Sequence, residues 1–309
     1  MPDPPKPTGS ETVVRVKAAA LNRADLLQRR GLYRAPDGFS QEIPGMEFAG
    51  EVAETGPEAR DFKPGDRVFG ITAGGAQAEY LMTDASLLAR IPGNLNFVEA
   101  AAVPEVFITA HDAIFAQAGL RAGETLLVHA VGSGVGLAAL QLAGARGARV
   151  FGTSRTAGKL DEARKFGLGE AILTGEEANF AGIVMEKTGG RGVDVILDLV
   201  GAAYFGQNLA SLAFKGRLML VGLTAGSKAE FEMSVALQKR LKITGTVLRG
   251  RSTEEKAEAT RGFIEEVLPL IADGTIKPNI DRVFSYEDAG RAHEYLESNE
   301  SFGKVVLEF

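Results

Sequence analysis

Residues 129–136 read HAVGSGVG. An apolar run, ETLLV, precedes them, and an Ala/Leu-rich helical run, GLAALQLAGARG, overlaps their end and continues beyond it. A glycine-rich turn that ends a strand and opens a helix can cradle a pyrophosphate, because free backbone N–H groups and the helix dipole both face the anion. The glycines are Gly132, Gly134 and Gly136, a G-x-G-x-G spacing that differs from the dinucleotide fingerprint G-x-G-x-x-G. With Gly136 as the third fingerprint position, suited to close helix–strand packing, the first two positions hold Val131 and Ser133. Gly132 and Gly134 would then let the backbone approach the phosphates, with Ser133 between them and Val135 just after, as further cofactor-binding candidates. The competing reading is a glycine-rich strand–helix turn without a ligand.

The next strand end bears on the same question. NAD-binding sheets place Asp or Glu there to bond the ribose 2′-hydroxyl. This chain reads GTSRTAGK at residues 152–159, with Ser154, Arg155 and Lys159 and no carboxylate. A hydroxyl and two cations suit a 2′-phosphate, which favours NADP(H) over NAD(H). The competing reading is a solvated loop.

Positioning such loops requires a particular order of elements. Six apolar strand candidates, TLLVHA, RVFGTS, EAILT, VDVILDLV, RLMLVG and KITGTV, follow one another between residues 104 and 245, with helix-like segments between most of them. Strands apolar on both faces belong in a parallel sheet covered by helices, so this zone is read as a doubly wound α/β sheet. Residues 1–103 differ: short strand-like runs are punctuated by glycine and proline, as in FKPGDRV, and suggest an all-β or mixed small barrel. Beyond residue 245, Ser252 and Glu255 stand at capping-box spacing and open a long helix. Pro269 is expected to kink that helix and Gly274 to end it. YEDAGRAHEYLES reads as a second helix and GKVVLEF as a last strand.

The composition narrows the function classes. The chain has 309 residues, 45% of them hydrophobic, and a net charge of −6 with acids and bases interspersed. That length suits two domains, and the charge pattern argues against a nucleic-acid surface. The absence of cysteine excludes disulfides, a thiol nucleophile and thiolate zinc sites. No run of about 18 apolar residues marks a membrane span. The opening MPDPPKPTGSE is unlike a signal peptide, so a soluble cytoplasmic protein is expected.

The runs ALNRADLLQRRGLY, IPGMEFAGEV, FKPGDRVFG, AAAVPEVFITAHDAI, HAVGSGVGLAALQLA, VDVILDLVG, QKRLKITGTVLRGRS and FGKVVLE, spread over nearly the whole chain, resemble the medium-chain dehydrogenase/reductase superfamily in its zinc-free quinone oxidoreductase (zeta-crystallin-like) branch. The resemblance implies a GroES-like β-barrel catalytic domain from residues 1–103 and 246–309, and a Rossmann domain from residues 104–245. It implies NADPH as cofactor, reduction of quinones or α,β-unsaturated carbonyls between the domains, and a homodimer joined through LKITGTV. By the same resemblance Asn22 and Tyr33 face nicotinamide and substrate, and Asp25 orders their loop. Thr109 lies near the nicotinamide, Gly222, Leu223, Thr246 and Val247 line the cofactor site, and Gly303 and Lys304 approach it. On residue type alone, Asn22 could equally cap a turn and Tyr33 could be a core aromatic.

The histidine of the zinc enzymes' Gly-His-Glu triplet is Met46 here, between Gly45 and Glu47, so no metal is expected. Relatives begin with a further strand pair before a segment like VPDPP, where this chain reads MPDPP, and its absence would bare part of the first domain's core. Gly175 stands where several NADPH-binding relatives place a tyrosine over the adenine. His129 is expected to be structural, and His111 and His293, the latter on a surface helix, to carry no role. Two other functions fit the same motifs: an enoyl reductase acting on acyl carriers, and an NADPH-binding redox sensor or structural protein without turnover.

Overall fold

The computed structural model describes residues 4–175 and 179–309. Met1, Pro2 and Asp3 of the opening segment, and Glu176, Glu177 and Ala178 after Gly175, lie outside the described residues. The chain divides into two compact units, residues 1–108 with 248–309, and residues 109–247.

The first unit is built on strands β1 (Glu11–Ala20), β2 (Glu47–Thr55), β3 (Arg67–Ile71), β4 (Tyr80–Asp84) and β5 (Leu88–Arg90). Two late strands join them, β12 (Ile280–Ser285) and β13 (Lys304–Glu308), giving a seven-stranded sheet in the order β12-β13-β1-β2-β3-β5, with β4 also on β1. The long strand β1 serves three neighbours. It pairs antiparallel with β2 on one edge, and on the other with β4 at residues 11–15 and then β13 at residues 18–20. One side of the sheet is closed by Val14, Val16, Phe48, Val52, Val68, Leu81 and Leu88. Helices α1 (Arg23–Arg29) and α11 (Ala289–Glu297) meet β13 through Leu21, Leu26, Leu296, Val305 and Leu307. Two further helices follow, α2 (Phe97–Ala101) and α3 (Pro104–His111).

The helix expected from residue 252 onward does start at Ser252. Its hydroxyl accepts from Glu255 N at 3.2 Å, and the Glu255 carboxylate accepts from Ser252 N at 3.0 Å. The break comes earlier than Pro269, however. Helix α9 (Thr253–Glu266) ends before Val267, and Pro269 stands in the first turn of a separate helix, α10 (Leu268–Ala272). Proline lacks an N–H and its ring crowds the carbonyl four residues back, so the chain yields upstream of the proline and lets it occupy a helix start. His293 also departs from expectation. It is buried, not on the surface, and its Nε2 pairs with Gln77 Oε1 at 2.9 Å.

The second unit alternates strand and helix: β6 (Thr125–Val128), α4 (Gly134–Ala145), β7 (Arg149–Ser154), α5 (Ala157–Arg164), β8 (Glu170–Leu173), α6 (Ala181–Lys187), β9 (Val193–Asp198), α7 (Phe205–Ser211), β10 (Leu212–Leu220), α8 (Met233–Lys239) and β11 (Lys242–Gly245). The strands are parallel, in the order β11-β10-β9-β6-β7-β8. Counted from β6 this is 3-2-1-4-5-6, the doubly wound order whose direction reverses between the first and fourth strands. The all-buried TLLV of β6 lies at that switch point.

A directional hydrogen-bond chain crosses the carboxyl ends of three strands. Thr153 Oγ1 meets His129 Nδ1 at 2.9 Å, His129 Nε2 meets Asn208 Oδ1 at 2.6 Å, and Asn208 Nδ2 donates to Asp198 Oδ2 at 2.9 Å. With the amide oriented by Asp198, His129 must carry its proton on Nε2 and accept from Thr153. Burial pushes the imidazole pKa down to about 4, which keeps it neutral. The other Asp198 oxygen accepts from Val200 N and Gly201 N and pins the turn after β9. Replacing Asn208 with Leu would orphan a buried N–H and take a donor from a buried carboxylate. We expect Asn208→Leu to destabilise the second unit by about 2–4 kcal/mol. An unfolding midpoint in urea equal to that of the parent protein would refute this.

Candidate active site and nucleotide loop

In the first unit, the carboxylate of Glu47 at the start of β2 gathers the candidate residues. Its Oε1 accepts from Asn22 Nδ2 at 2.8 Å and from Lys304 Nζ at 2.7 Å, and its Oε2 accepts from Glu105 N at 2.9 Å. Lys304, at the start of β13, also donates to Leu21 O at 2.7 Å and to Asn22 Oδ1 at 2.8 Å. All three ammonium protons are therefore committed. Glu47 is 0% exposed and Lys304 4%, so this is a sealed ion pair.

Asn22 stands at the N-cap of α1, but its side chain turns away from the helix toward Glu47 and Lys304. The helix end is served from the other direction: Asp25 Oδ2 accepts from Asn22 N at 2.8 Å, and Asp25 Oδ1 accepts from Gly45 N at 3.0 Å. Asp25 thus ties the 22–25 turn to the segment before β2. Burial pushes its pKa up to about 6, against the pull of those two N–H groups and of Lys304.

Tyr33 is held by Arg249. The buried guanidinium donates through Nε to Ala73 O at 2.7 Å and through Nη1 to Tyr33 O at 3.2 Å, and through Nη2 it binds Gln28 Oε1. It also lies 5.0 Å from the centre of the Tyr33 ring. The Tyr33 ring is half-buried, and burial raises its phenol pKa.

Three members of this cluster were not singled out from the sequence, and Glu47, named there only beside Met46, is the first. Glu105, in the first turn of α3, has its pKa pushed up to about 8, first by burial and then by the Glu47 carboxylate, against Lys304 and Arg249. Its signal was available, as a lone acid in the apolar run AAAVPEVFITA. Arg249 has no comparable signal, because an arginine in TVLRGRS looks like any solvated cation.

The donor set around residue 46 does not suit a zinc ion. Met46 is buried, Glu47 is saturated by an ammonium and two N–H donors, and among the described residues no group of three His, Asp or Glu side chains could ligate a metal. Gly303 has φ +96°, and a Cβ there would stand 2.4 Å from Asn279 O. Lys304 brings its side chain to Asn22 and Glu47 and donates from its backbone N to Asn279 O at 2.9 Å, and both Gly303 and Lys304 are buried.

In the second unit, Val131 buries its side chain and donates from N to Thr153 O, anchoring the turn to β7. Ser133 caps α4, its hydroxyl accepting from Gly136 N at 3.1 Å. Gly136 packs against the strand end so closely that a Cβ would meet Ala130 O at 2.6 Å. Gly134 and Val135 stand in the first turn, where N–H groups have no intrahelical acceptor. Around this turn, Ser154 is buried and its hydroxyl accepts from Thr156 N, while Arg155 is exposed and Lys159 half-buried on α5. Gly222 N donates to Asp198 O, and a Cβ there would meet Leu199 O at 2.7 Å. Leu223 and Val247 are exposed, Thr246 accepts from Gln117 Nε2, and Thr109 is half-buried on α3. Gly175 follows β8 with φ +58°. Residues 132–136, 154–155 and 222–223 thus follow the carboxyl ends of β6, β7 and β10, on the side where such sheets bind ligands.

Known proteins match along most of the chain. Residues 8–93 match the alcohol dehydrogenase GroES-like domain, and residues 134–263 match the zinc-binding dehydrogenase family. A quinone oxidoreductase of Pseudomonas aeruginosa is 35% identical over 307 residues, covering 98% of this chain and 93% of the relative. A mycobacterial protein solved in complex with NADPH superposes with TM-score 0.89 at 32% identity, over 100% of this chain and 94% of its own. The CurK enoyl reductase superposes with TM-score 0.87 at 26% identity, over 99% and 93%.

Raised carboxyl pKa values make the first unit's stability depend on pH in a definite direction. Asp25 and Glu105 hold protons in the folded state that the unfolded chain releases near pH 4. Their contribution is therefore complete below about pH 4 and is lost as pH rises through about 6 and about 8. Glu105→Gln keeps the neutral shape and removes the second titration. We expect the variant to match the parent in thermal stability at pH 5 and to exceed it at pH 9 by on the order of 2 kcal/mol. A variant less stable than the parent at pH 9 would contradict this.

Proposed function

The chain belongs to the medium-chain dehydrogenase/reductase superfamily, in its quinone oxidoreductase branch, and from that premise we propose that it reduces quinones or α,β-unsaturated carbonyls with NADPH and without a metal. An oxidoreductase with a nicotinamide cofactor is the common ground of the family; acceptor, phosphate preference and metal independence are our reading. The observation that carries it is the Asn22–Glu47–Lys304 cluster. Where a metal-dependent member needs open ligands, this chain has a sealed ion pair and a buried methionine. A Lewis acid is therefore not supplied by these residues, and the acceptor must be electrophilic already, as a conjugated carbonyl is.

The nicotinamide would supply hydride. The chain's part is to hold and orient. The N-terminus of α4, with Gly134 and Val135, suits the pyrophosphate. Arg155 and Lys159 suit the 2′-phosphate, with Ser154 shaping the turn beneath them. In the first unit, Tyr33 offers its hydroxyl to the acceptor's carbonyl oxygen, and Arg249 keeps the ring in place. The CurK similarity supports a second reading, an enoyl reductase on a thioester-bound chain, which needs the same hydride and the same activated double bond. We propose a cytoplasmic location; separately, among the described residues no helix is long and apolar enough to cross a bilayer.

NADPH oxidation measured with benzoquinones, naphthoquinones, small enones and an enoyl thioester tests the function. We expect turnover with the first three, undiminished by chelators; activity confined to the thioester would favour the second reading, and none with any acceptor would overturn both. Phosphate recognition has its own test. Arg155→Ala with Lys159→Ala should raise KM for NADPH by about a hundredfold, as expected for two charge-assisted hydrogen bonds at a partly exposed site, and leave NADH nearly unchanged. Equal use of the two cofactors by the parent protein would show that the loop reads no phosphate.

The second unit also supports a homodimer. Edge strand β11 is exposed along its length, with Ile243 on it. Phe231, Met233, Leu237 and Val247, near it in sequence, are exposed too, Leu237 at 78%. An unpaired, apolar edge invites a second copy about a two-fold axis, extending the sheet. Ile243→Asp with Leu237→Asp should convert a dimer to a monomer in sedimentation; a parent protein that sediments as a monomer would overturn the assignment.

A further inference from the structure

Reduction of a conjugated carbonyl needs a proton as well as a hydride, and three carboxyl groups lie near one another in the first unit. Two are closed off. Asp25 and Glu47 are 0% exposed, and every oxygen of each accepts a hydrogen bond from a named donor. Glu105 differs in each respect. The residue is half-buried, so it retains access from outside. Its backbone N–H is fixed on Glu47, which sets the start of α3, while among the described residues its carboxyl makes no hydrogen bond. It also lies within electrostatic reach of Tyr33, the residue that offers its hydroxyl to the acceptor.

We propose that Glu105 is the proton donor of the reaction, delivering its carboxyl proton to the acceptor oriented by Tyr33. The inference rests on the reading of the protein as a hydride-transferring reductase. Hydride adds at one end of the conjugated acceptor, the displaced electron pair moves to the carbonyl oxygen, and that oxygen takes the proton as the Glu105 O–H bond breaks. The nicotinamide is oxidised by two electrons, the acceptor gains two electrons and two hydrogens, and the carboxylate left behind recovers its proton from water.

The groups facing Glu105 come from every side. Glu47 on β2 and Asp25 on α1 oppose its ionisation, while Lys304 on β13 and Arg249 before α9 favour it. Lys256 on α9, buried with its ammonium 5.7 Å from the Phe39 ring centre, also feels its charge. Burial outweighs the cations, so the group holds its proton up to about pH 8. It is thus protonated and neutral at about pH 7, ready to donate, and can regain its proton there, as a general acid must.

The test uses the full chain with NADPH and a soluble benzoquinone, comparing pH profiles of kcat for the parent, Glu105→Gln and Glu105→Asp. The parent should lose activity above a pH of about 8. Glu105→Gln keeps shape and neutrality but cannot give up a proton; kcat should fall by about a hundredfold or more near pH 7, with no alkaline limb and little change in NADPH binding. Glu105→Asp should recover part of kcat and restore an alkaline limb. Folding is followed by circular dichroism, and if Glu105→Gln does not fold, the aspartate variant decides: an alkaline limb at an unchanged pH would overturn the proposal, because the titrating group would then lie elsewhere. Unchanged kcat and limb in Glu105→Gln would overturn it as well. A parent protein without turnover would instead remove the reductase reading on which the proposal rests.

Discussion

The ion pair between Lys304 and Glu47 is the constraint on which the first unit depends. Both charges lie out of water, and desolvation of each costs several kcal/mol unless its bonding capacity is filled. Filling it requires specific groups in specific places: Leu21 O and the Asn22 amide for the lysine, the Asn22 amide and Glu105 N–H for the glutamate. Those groups come from the end of β1, the N-cap of α1 and the start of α3, and they meet because β13 returns the chain beside β1. Removing one charge would leave the other buried and alone, a loss of about 3–5 kcal/mol. The pair therefore acts less as a source of stability than as a selector of one arrangement among packings with similar apolar burial.

Carboxyl chemistry follows from that arrangement. Once Glu47 is ionised and sealed, its charge bears on every neighbouring acid. Asp25 has two N–H donors that partly offset burial, so its shift is the smaller; among the described residues Glu105 has none on its carboxyl, and its shift is the larger. Arg249 could have neutralised Glu105, but its three bonds run to Ala73, Tyr33 and Gln28. The cation is committed to placing the tyrosine and acts on the acid only at a distance. The same guanidinium thus fixes Tyr33 and leaves Glu105 protonated.

The architecture was largely legible, for reasons that differ by region. The six parallel strands are short apolar runs separated by helical segments, and burial on both faces leaves that signature in any order of reading. The helix at Ser252 announced itself by local capping chemistry. What escaped was set by partners distant in sequence. Strand β12 was not foreseen, because its mostly exposed residues show no alternation and it exists by pairing with β13. His293 looked like a surface residue because the Gln77 that receives it is more than two hundred residues away. Arg249 looks like any solvated cation, and Lys304 was expected to approach the cofactor; nothing in their neighbourhoods revealed the buried carbonyls and carboxylate that take them. Asn22 and Asp25 were picked out by resemblance, but the division of labour between them, amide toward the ion pair and carboxylate toward the helix, is tertiary geometry.

The two units solve a common problem in chemically different ways. In each, loops that must present groups to a ligand sit at strand ends, where the sheet's own hydrogen bonds run out. The second unit spans its strand ends with a neutral histidine and an asparagine leading to one carboxylate, and that carboxylate holds the turn after β9 by two backbone N–H groups. No proton in that chain is free to leave: His129 is kept neutral, Asn208 cannot titrate, and Asp198 accepts from three donors. The first unit instead uses a full ion pair with extra acids around it, and one of those acids keeps a proton with no bond to hold it. A site that only binds phosphates and ribose gains from a frame whose protonation never changes. A site that must finish a reduction gains from one group whose protonation can change. On the proposed reading, the contrast between the two networks separates a rigid cofactor platform from a place where bonds to hydrogen are made.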